Sequence, residues 1–175
     1  MNRQSLIFVL VLNAVLWPTV PSFAATGASD EGQKYFLDEQ PEVAADVLAL
    51  RKEAKDQQAV VAVGRIGGRK KPWVNGMAVF PIVDRSLTPC NEIEGDTCRT
   101  PWDYCCETNL PKATVFVMLV DDQGKVVKQD PRVLLGVKEL DTVFVQAKVR
   151  RDKSGNVTLL ASRLYVPTEK QVPAR

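Results

Sequence analysis

Four cysteines within seventeen residues set the tightest limit on how this chain can fold: Cys90-x7-Cys98-x6-Cys105-Cys106. Sulfurs so close in sequence draw the segment from Cys90 to Glu107 into a compact loop, through disulfides, a shared metal or a redox pair. Adjacent cysteines rarely bond to each other, because the trans peptide strains the ring. Two disulfide patterns stay open, Cys90–Cys105 with Cys98–Cys106 or Cys90–Cys106 with Cys98–Cys105. Either bridge of either pattern closes a loop of under twenty residues, worth about 2–3 kcal/mol when unstrained. A four-cysteine metal site usually shows paired CxxC spacings, which are absent. No CxxC motif or histidine is present to generate a redox thiolate. The expectation is two structural disulfides, with no metal and no cofactor.

The start of the chain speaks to the redox compartment. Met1-Asn2-Arg3 is a short basic lead, and Leu6 to Trp17 is an apolar run. Pro18, Pro21 and then Ser22-Phe23-Ala24 follow, with small residues where a signal peptidase reads. The run is shorter than the ~20 residues of a membrane span. It reads as a signal peptide over residues 1–24, cut after Ala24, leaving no stable membrane span and a periplasmic or extracellular protein. Disulfides belong in that setting.

The remaining chain is one domain long. Residues 30–58 carry eight acidic and four basic residues, and residues 59–175 carry 18 basic and 13 acidic, so the two parts are −4 and +5. A modest positive excess favours an anionic partner without demanding nucleic acid. There is no histidine, which removes histidine-assisted hydrolysis and histidine metal ligation. The reading is therefore non-enzymatic.

Residues 25–58 read as a flexible lead-in to Lys34 followed by an amphipathic helix. Pro41 suits its first turn, and Val43, Val47, Leu50 and Ala54 form a stripe over about four turns. Strands follow at 59–66, with Gly64 marking a bend or bulge, and at 77–84, where Pro81 argues for an edge or bulge. After the cysteine loop come a strand at 114–120, a turn at 121–124 with a hairpin extension over 125–127, and a short helix or turn at 131–137. The segment 141–151 alternates, with Val143, Val145, Ala147 and Val149 on one face and Phe144, Gln146, Lys148 and Arg150 on the other. A hairpin turn at 152–156 leads to the last strand at 157–166, and residues 167–175 read as a loose tail. Five strands with a short helix between the third and fourth is the order of an OB-fold, a small, partly open Greek-key barrel over residues 59–166. The expected fold is thus mainly β: a five-stranded OB-fold-like barrel with an N-terminal helix and a disulfide-rich loop between strands two and three. A β-sandwich is the alternative, for which five strands are few.

The segments Gly64-Arg65-Ile66-Gly67-Gly68 and Thr100-Pro101-Trp102-Asp103-Tyr104-Cys105-Cys106 resemble a family of small exported bacterial proteins, across about residues 60–166. The resemblance implies export and an OB-fold-like barrel of the nucleic-acid-binding type, and it brings no activity with it.

Two candidate sites emerge. In OB-folds the first interstrand loop and the fourth–fifth strand loop flank the binding face. Here they supply Arg65, Arg69, Lys70, Lys71 and Trp73 on one side, and Arg150, Arg151 and Lys153 on the other. Cations interleaved with an aromatic suit an anionic polymer or glycan, or a protein partner; an exported protein seldom meets nucleic acid. The second site is the cysteine loop, where Trp102 and Tyr104 form either core packing or an aromatic platform. Its carboxylates Glu92, Glu94, Asp96, Asp103 and Glu107 match no calcium-loop spacing, and a glycosidase pair would need a second motif. A metal- or redox-active use of Cys90–Cys106 is the alternative function. The two sites are expected at opposite ends of strand two.

Overall fold

The computed structural model describes residues 27–167; the signal-peptide reading and most of the predicted tail lie outside them. The elements are β1 (Ala45–Asp46), α1 (Val47–Glu53), β2 (Ala59–Ile66), β3 (Val79–Val83), β4 (Thr114–Leu119), α2 (Pro131–Leu135), β5 (Thr142–Arg151) and β6 (Val157–Tyr165), with a 3-10 helix at Asp30–Tyr35. The strands form one six-stranded mixed sheet in the order β1-β2-β3-β4-β6-β5, and β2 also pairs with β5. Five strands therefore close a ring, and β1 stands outside it. Among the described residues, no helix is long and apolar enough to cross a membrane.

The ring follows from the side-chain pattern. Val115, Val117 and Leu119 of β4, Val143, Val145 and Val149 of β5, and Val157, Leu159 and Ala161 of β6 are buried at alternate positions and meet Ile66, Phe80, Ile82 and Leu164 inside. Each of these side chains larger than alanine contributes about 1.5–3 kcal/mol of burial. Phe144 lies on the expected face, opposite the side chains of the ring's core, but is not exposed there. It is buried, pairing with Val63 and meeting Tyr165 edge-on at 6.4 Å. Opposite Gln146 and Ala147 the register of β6 shifts by one, with Ser162 as the extra residue.

Seven residue pairs join β2 to β5, whereas β2 and β3 share two, Arg65 with Val83 and Ile66 with Ile82. The edge of β2 that β3 leaves open takes β1, through Ala62 and Val63. Pro81 needs no bulge. Its carbonyl accepts from the Gly67 N–H at 3.2 Å, so its missing N–H faces the side on which β2 has ended. Gly64 makes no bulge either. A Cβ there would meet the Val83 carbonyl oxygen at 2.8 Å, so glycine is needed for close passage of β3.

The four-turn helix shortens to the seven residues of α1. Ala45 and Asp46 are held as a strand against β2, and Val43 is left 82% exposed while Val47 and Leu50 are buried. The lead-in is also structured: Tyr35 enters the core, Ser29 Oγ donates to the Leu134 carbonyl at 3.2 Å, and the Leu37 N–H donates to the Leu164 carbonyl. The hairpin extension forms through Val120 and Val126. α2 begins at Pro131, with Asp130 accepting from the Arg132 N–H at 2.9 Å. That carboxyl is held below the usual range by its hydrogen bonds to the Arg132 side chain and amide.

α1 is capped from outside at both ends. Asp46 occupies the N-cap position but gives its carboxylate to Arg85, at 2.7 and 3.1 Å. The free helix N–H is taken instead by Asp84, 2% exposed, whose Oδ2 accepts from Leu48 N at 2.7 Å while Oδ1 accepts from Ser86. At the other end, Arg151 donates to the carbonyls of Arg51 and Ala54 at 2.8 and 2.9 Å. Asp84→Ala removes the acceptor of the half-buried Leu48 amide and of Ser86, so a loss of about 1–3 kcal/mol is expected in chemical denaturation. Asp46→Ala breaks a half-exposed ion pair and should cost under about 1 kcal/mol.

Candidate functional site

The loop between β3 and β4 runs from Asp84 to Ala113 with only two short 3-10 turns, Cys90–Glu92 and Pro101–Asp103. Loops of this length inside a compact fold need internal ties. The first tie is to the loop after β2. The Gly68 N–H donates to the Trp102 carbonyl at 2.7 Å, and a Cβ on Gly67 would meet that same oxygen at 2.5 Å. Gly68 has φ +86°, which favours glycine. Trp102 Nε1 donates to the Lys70 carbonyl at 3.3 Å, and Arg65 pairs with Glu92 at 2.6 Å. The expected separation of the basic loop from the cysteine loop is therefore wrong. β3 is only five residues, about 17 Å long, and both loops fold back over the end of β2.

Tyr104 is the anchor. It is fully buried with Val83, Leu87 and Ala113 in a second apolar cluster outside the ring, flanked by Leu48, Leu110 and Leu140. Its φ of +55° turns the chain so that Cys105 and Cys106 return toward Cys90. Tyr104 thus takes the core role rather than the platform role, while Trp102 lies half-buried over the basic loop.

The two predicted disulfides are not formed: Cys90, Cys98, Cys105 and Cys106 are free thiols. The Cys105 Sγ lies 3.5 Å from that of Cys90 and 4.0 Å from those of Cys98 and Cys106, against about 2.05 Å for a bond. The loop gathers the sulfurs around one point instead of sorting them into pairs. Cys90 is fully buried, and burial works against its thiolate. Hydrogen bonds from the Cys105 thiol and from the amides of Cys106 and Cys105 outweigh this and lower its pKa. The Cys105 thiol is correspondingly pushed up, first by its bond to Cys90 and then by those to Cys106 and Cys98.

The acidic residues of the loop are mostly engaged in its fold. Asp96 accepts from the Cys98 N–H at 2.6 Å, Glu107 accepts from the Thr88 N–H at 2.9 Å, and Glu92 holds Arg65. Asp103 accepts from Thr100 Oγ1 at 2.8 Å and from the Cys105 N–H at 3.0 Å. Glu94 is exposed.

The predicted basic–aromatic group is split. Trp73 packs on the ring's core, tilted against Phe80 at 6.0 Å, with Nε1 donating to Glu139 at 2.6 Å and the Arg132 guanidinium 5.7 Å above it. Arg65 is bound to Glu92, and Arg151 is turned onto α1. Lys70, Lys71 and Lys153 are exposed. Arg69 and Arg150, however, converge on the outer face of β4. The Arg69 guanidinium lies 4.9 Å from the Phe116 ring, and Arg150 Nη2 is 3.5 Å from Met118 Sδ. Phe116 pairs with Thr158, which pairs with Arg150; Met118 pairs with Leu160, which pairs with Lys148. These six residues share one outward face. Phe116 and Met118 were missed as site residues, although the alternation of TVFVML around buried Val115, Val117 and Leu119 marks them as outward.

No family model matches the chain, and neither does a curated protein or a solved structure. The site therefore has to be read from its own geometry. Gly67→Ala drives a methyl into the Trp102 carbonyl, and a destabilisation of about 1–3 kcal/mol is expected in urea unfolding. Trp102 fluorescence should change with it; an unaltered denaturation midpoint would show that the loops are not in contact.

Proposed function

We propose that the chain is an exported, OB-fold-like binding module that holds an anionic, extended ligand on the outer face of β4. The ring order β2-β3-β4-β6-β5, its parallel β4–β6 pair, the short α2 before β5 and the thin β2–β3 join are what a partly open Greek-key barrel would have. In such a barrel, β3 and β4 are the second and third strands, and the loops 67–78 and 152–156 flank the binding face. Export rests on the character of residues 1–24, and it makes a glycan or protein surface a better partner than nucleic acid.

One observation carries the reading. Arg69 and Arg150 arrive from different parts of the chain and lie over neighbouring outward side chains of the same strand. A guanidinium held over an aromatic ring by cation–π attraction keeps N–H groups available for carboxylate, sulfate or phosphate groups. Lys148 extends the positive strip, and Lys70, Lys71 and Lys153 lie on the flanking loops. Half-buried Phe116, Met118 and Leu160 supply apolar contact for sugar rings or an extended backbone.

Immobilised dextran sulfate and alginate, with neutral dextran as control, test this directly. Arg69→Glu with Arg150→Glu should weaken capture on the charged polymers at least about tenfold, as two lost charge-assisted contacts predict. Arg65→Glu, with its cation already spent on Glu92, should matter less. Capture that survives the double reversal, or that is as strong on neutral dextran, overturns the proposal.

A further inference from the structure

The sulfur cluster is independent of the β4 face and has its own chemistry. Cys90 Sγ, Cys98 Sγ, Cys105 Sγ and an Asp103 carboxylate oxygen all lie within 4.8 Å of one another. The two short edges among the sulfurs are 3.5 and 4.0 Å. Four ligands around an ion with Zn–S bonds of about 2.3 Å stand roughly 3.8 Å apart along each tetrahedral edge. We propose that Cys90, Cys98 and Cys105, completed by Asp103, form a tetrahedral Zn2+ site that pins the loop between β3 and β4.

The surroundings of the ligands fit that use. Cys90 is the buried member, so an ion held there would be shielded from water on one side. Asp103 is oriented by Thr100 Oγ1 and the Cys105 amide. Cys106 Sγ lies 4.0 Å from that of Cys105 but groups with Cys90 and Asp96, 3.7 Å from the Asp96 Oδ2, a set of three that lacks a fourth ligand. Three thiolates exclude calcium and magnesium, which take oxygen ligands. A carboxylate in the fourth place favours Zn2+ over Cu+, a softer ion that thiolates alone satisfy. On binding, each thiol releases its proton to solvent and the sulfur donates a lone pair to the ion, with no change of oxidation state.

The test uses the full chain, purified reduced and metal-free, with zinc chloride as the probe. Native mass spectrometry should show one Zn2+ per chain. Cys90→Ser, Cys98→Ser and Cys105→Ser should each lower affinity more than about a hundredfold, beyond the usual effect of an outer-shell change, while Cys106→Ser stays within about threefold. Because the ligand variants can unfold, alkylation mapping of the unmutated chain gives a second reading. Excess Zn2+ should protect Cys90, Cys98 and Cys105 and leave Cys106 reactive. Absence of stoichiometric zinc, equal alkylation of all four thiols, or an equal loss from Cys106→Ser and Cys98→Ser overturns the proposal. So does preferential Cu+ uptake that Asp103→Asn leaves unchanged.

Discussion

Both sites depend on the close approach of two backbones, Gly67–Gly68 after β2 and Trp102–Tyr104 in the long loop. A side chain on Gly67 would reach within 2.5 Å of the Trp102 carbonyl, so the contact exists only because the first chain is bare there. Holding Trp102 to Gly68 fixes the entrance of the Tyr104 turn, and the turn brings Cys105 back to Cys90. The same contact orients the segment that carries Arg69 onto Phe116. The segments 64–68 and 100–106 are thus the two halves of one interaction.

A second constraint is the brevity of β3. With only two residue pairs between β2 and β3, the ring has a weak join. The chain covers it with β1 and α1, which Asp84 and Arg85 bind from one stretch of the sequence and Arg151 from another. These are charged groups used as caps for a short helix, which at seven residues would not hold its shape alone. The apolar cluster around Tyr104 sits beside this join, so the loop and the helix support each other through Leu48.

The strands were legible because valine-rich alternation is a local signal. β5 and β6, the turn between them and the position of α2 follow directly from it. What sequence could not convey was non-local. The stripe from Val43 to Ala54 has helical spacing, yet Ala45 and Asp46 are claimed by β2, which no local pattern announces. Asp84 looks like the last residue of a strand and becomes a helix cap for a segment 36 residues earlier. Cysteine spacing put the four sulfurs together but could not show them gathered around Cys105 rather than sorted into pairs. Arg65, Arg69 and Trp73 are near neighbours in sequence with three different fates, one paired, one stacked outward and one packed inward, because the β2–β3 loop reverses between them.

Docking of the long loop underlies both sites, and the Gly68 amide reports that contact alone. Its hydrogen exchange, followed by NMR, should be at least about a hundredfold slower than in an unstructured chain, the factor that about 2.8 kcal/mol of docking free energy gives. Exchange at the unprotected rate, with β5 and β6 amides still protected, would mean that the ring folds without the loop and would contradict the shared architecture of the two sites.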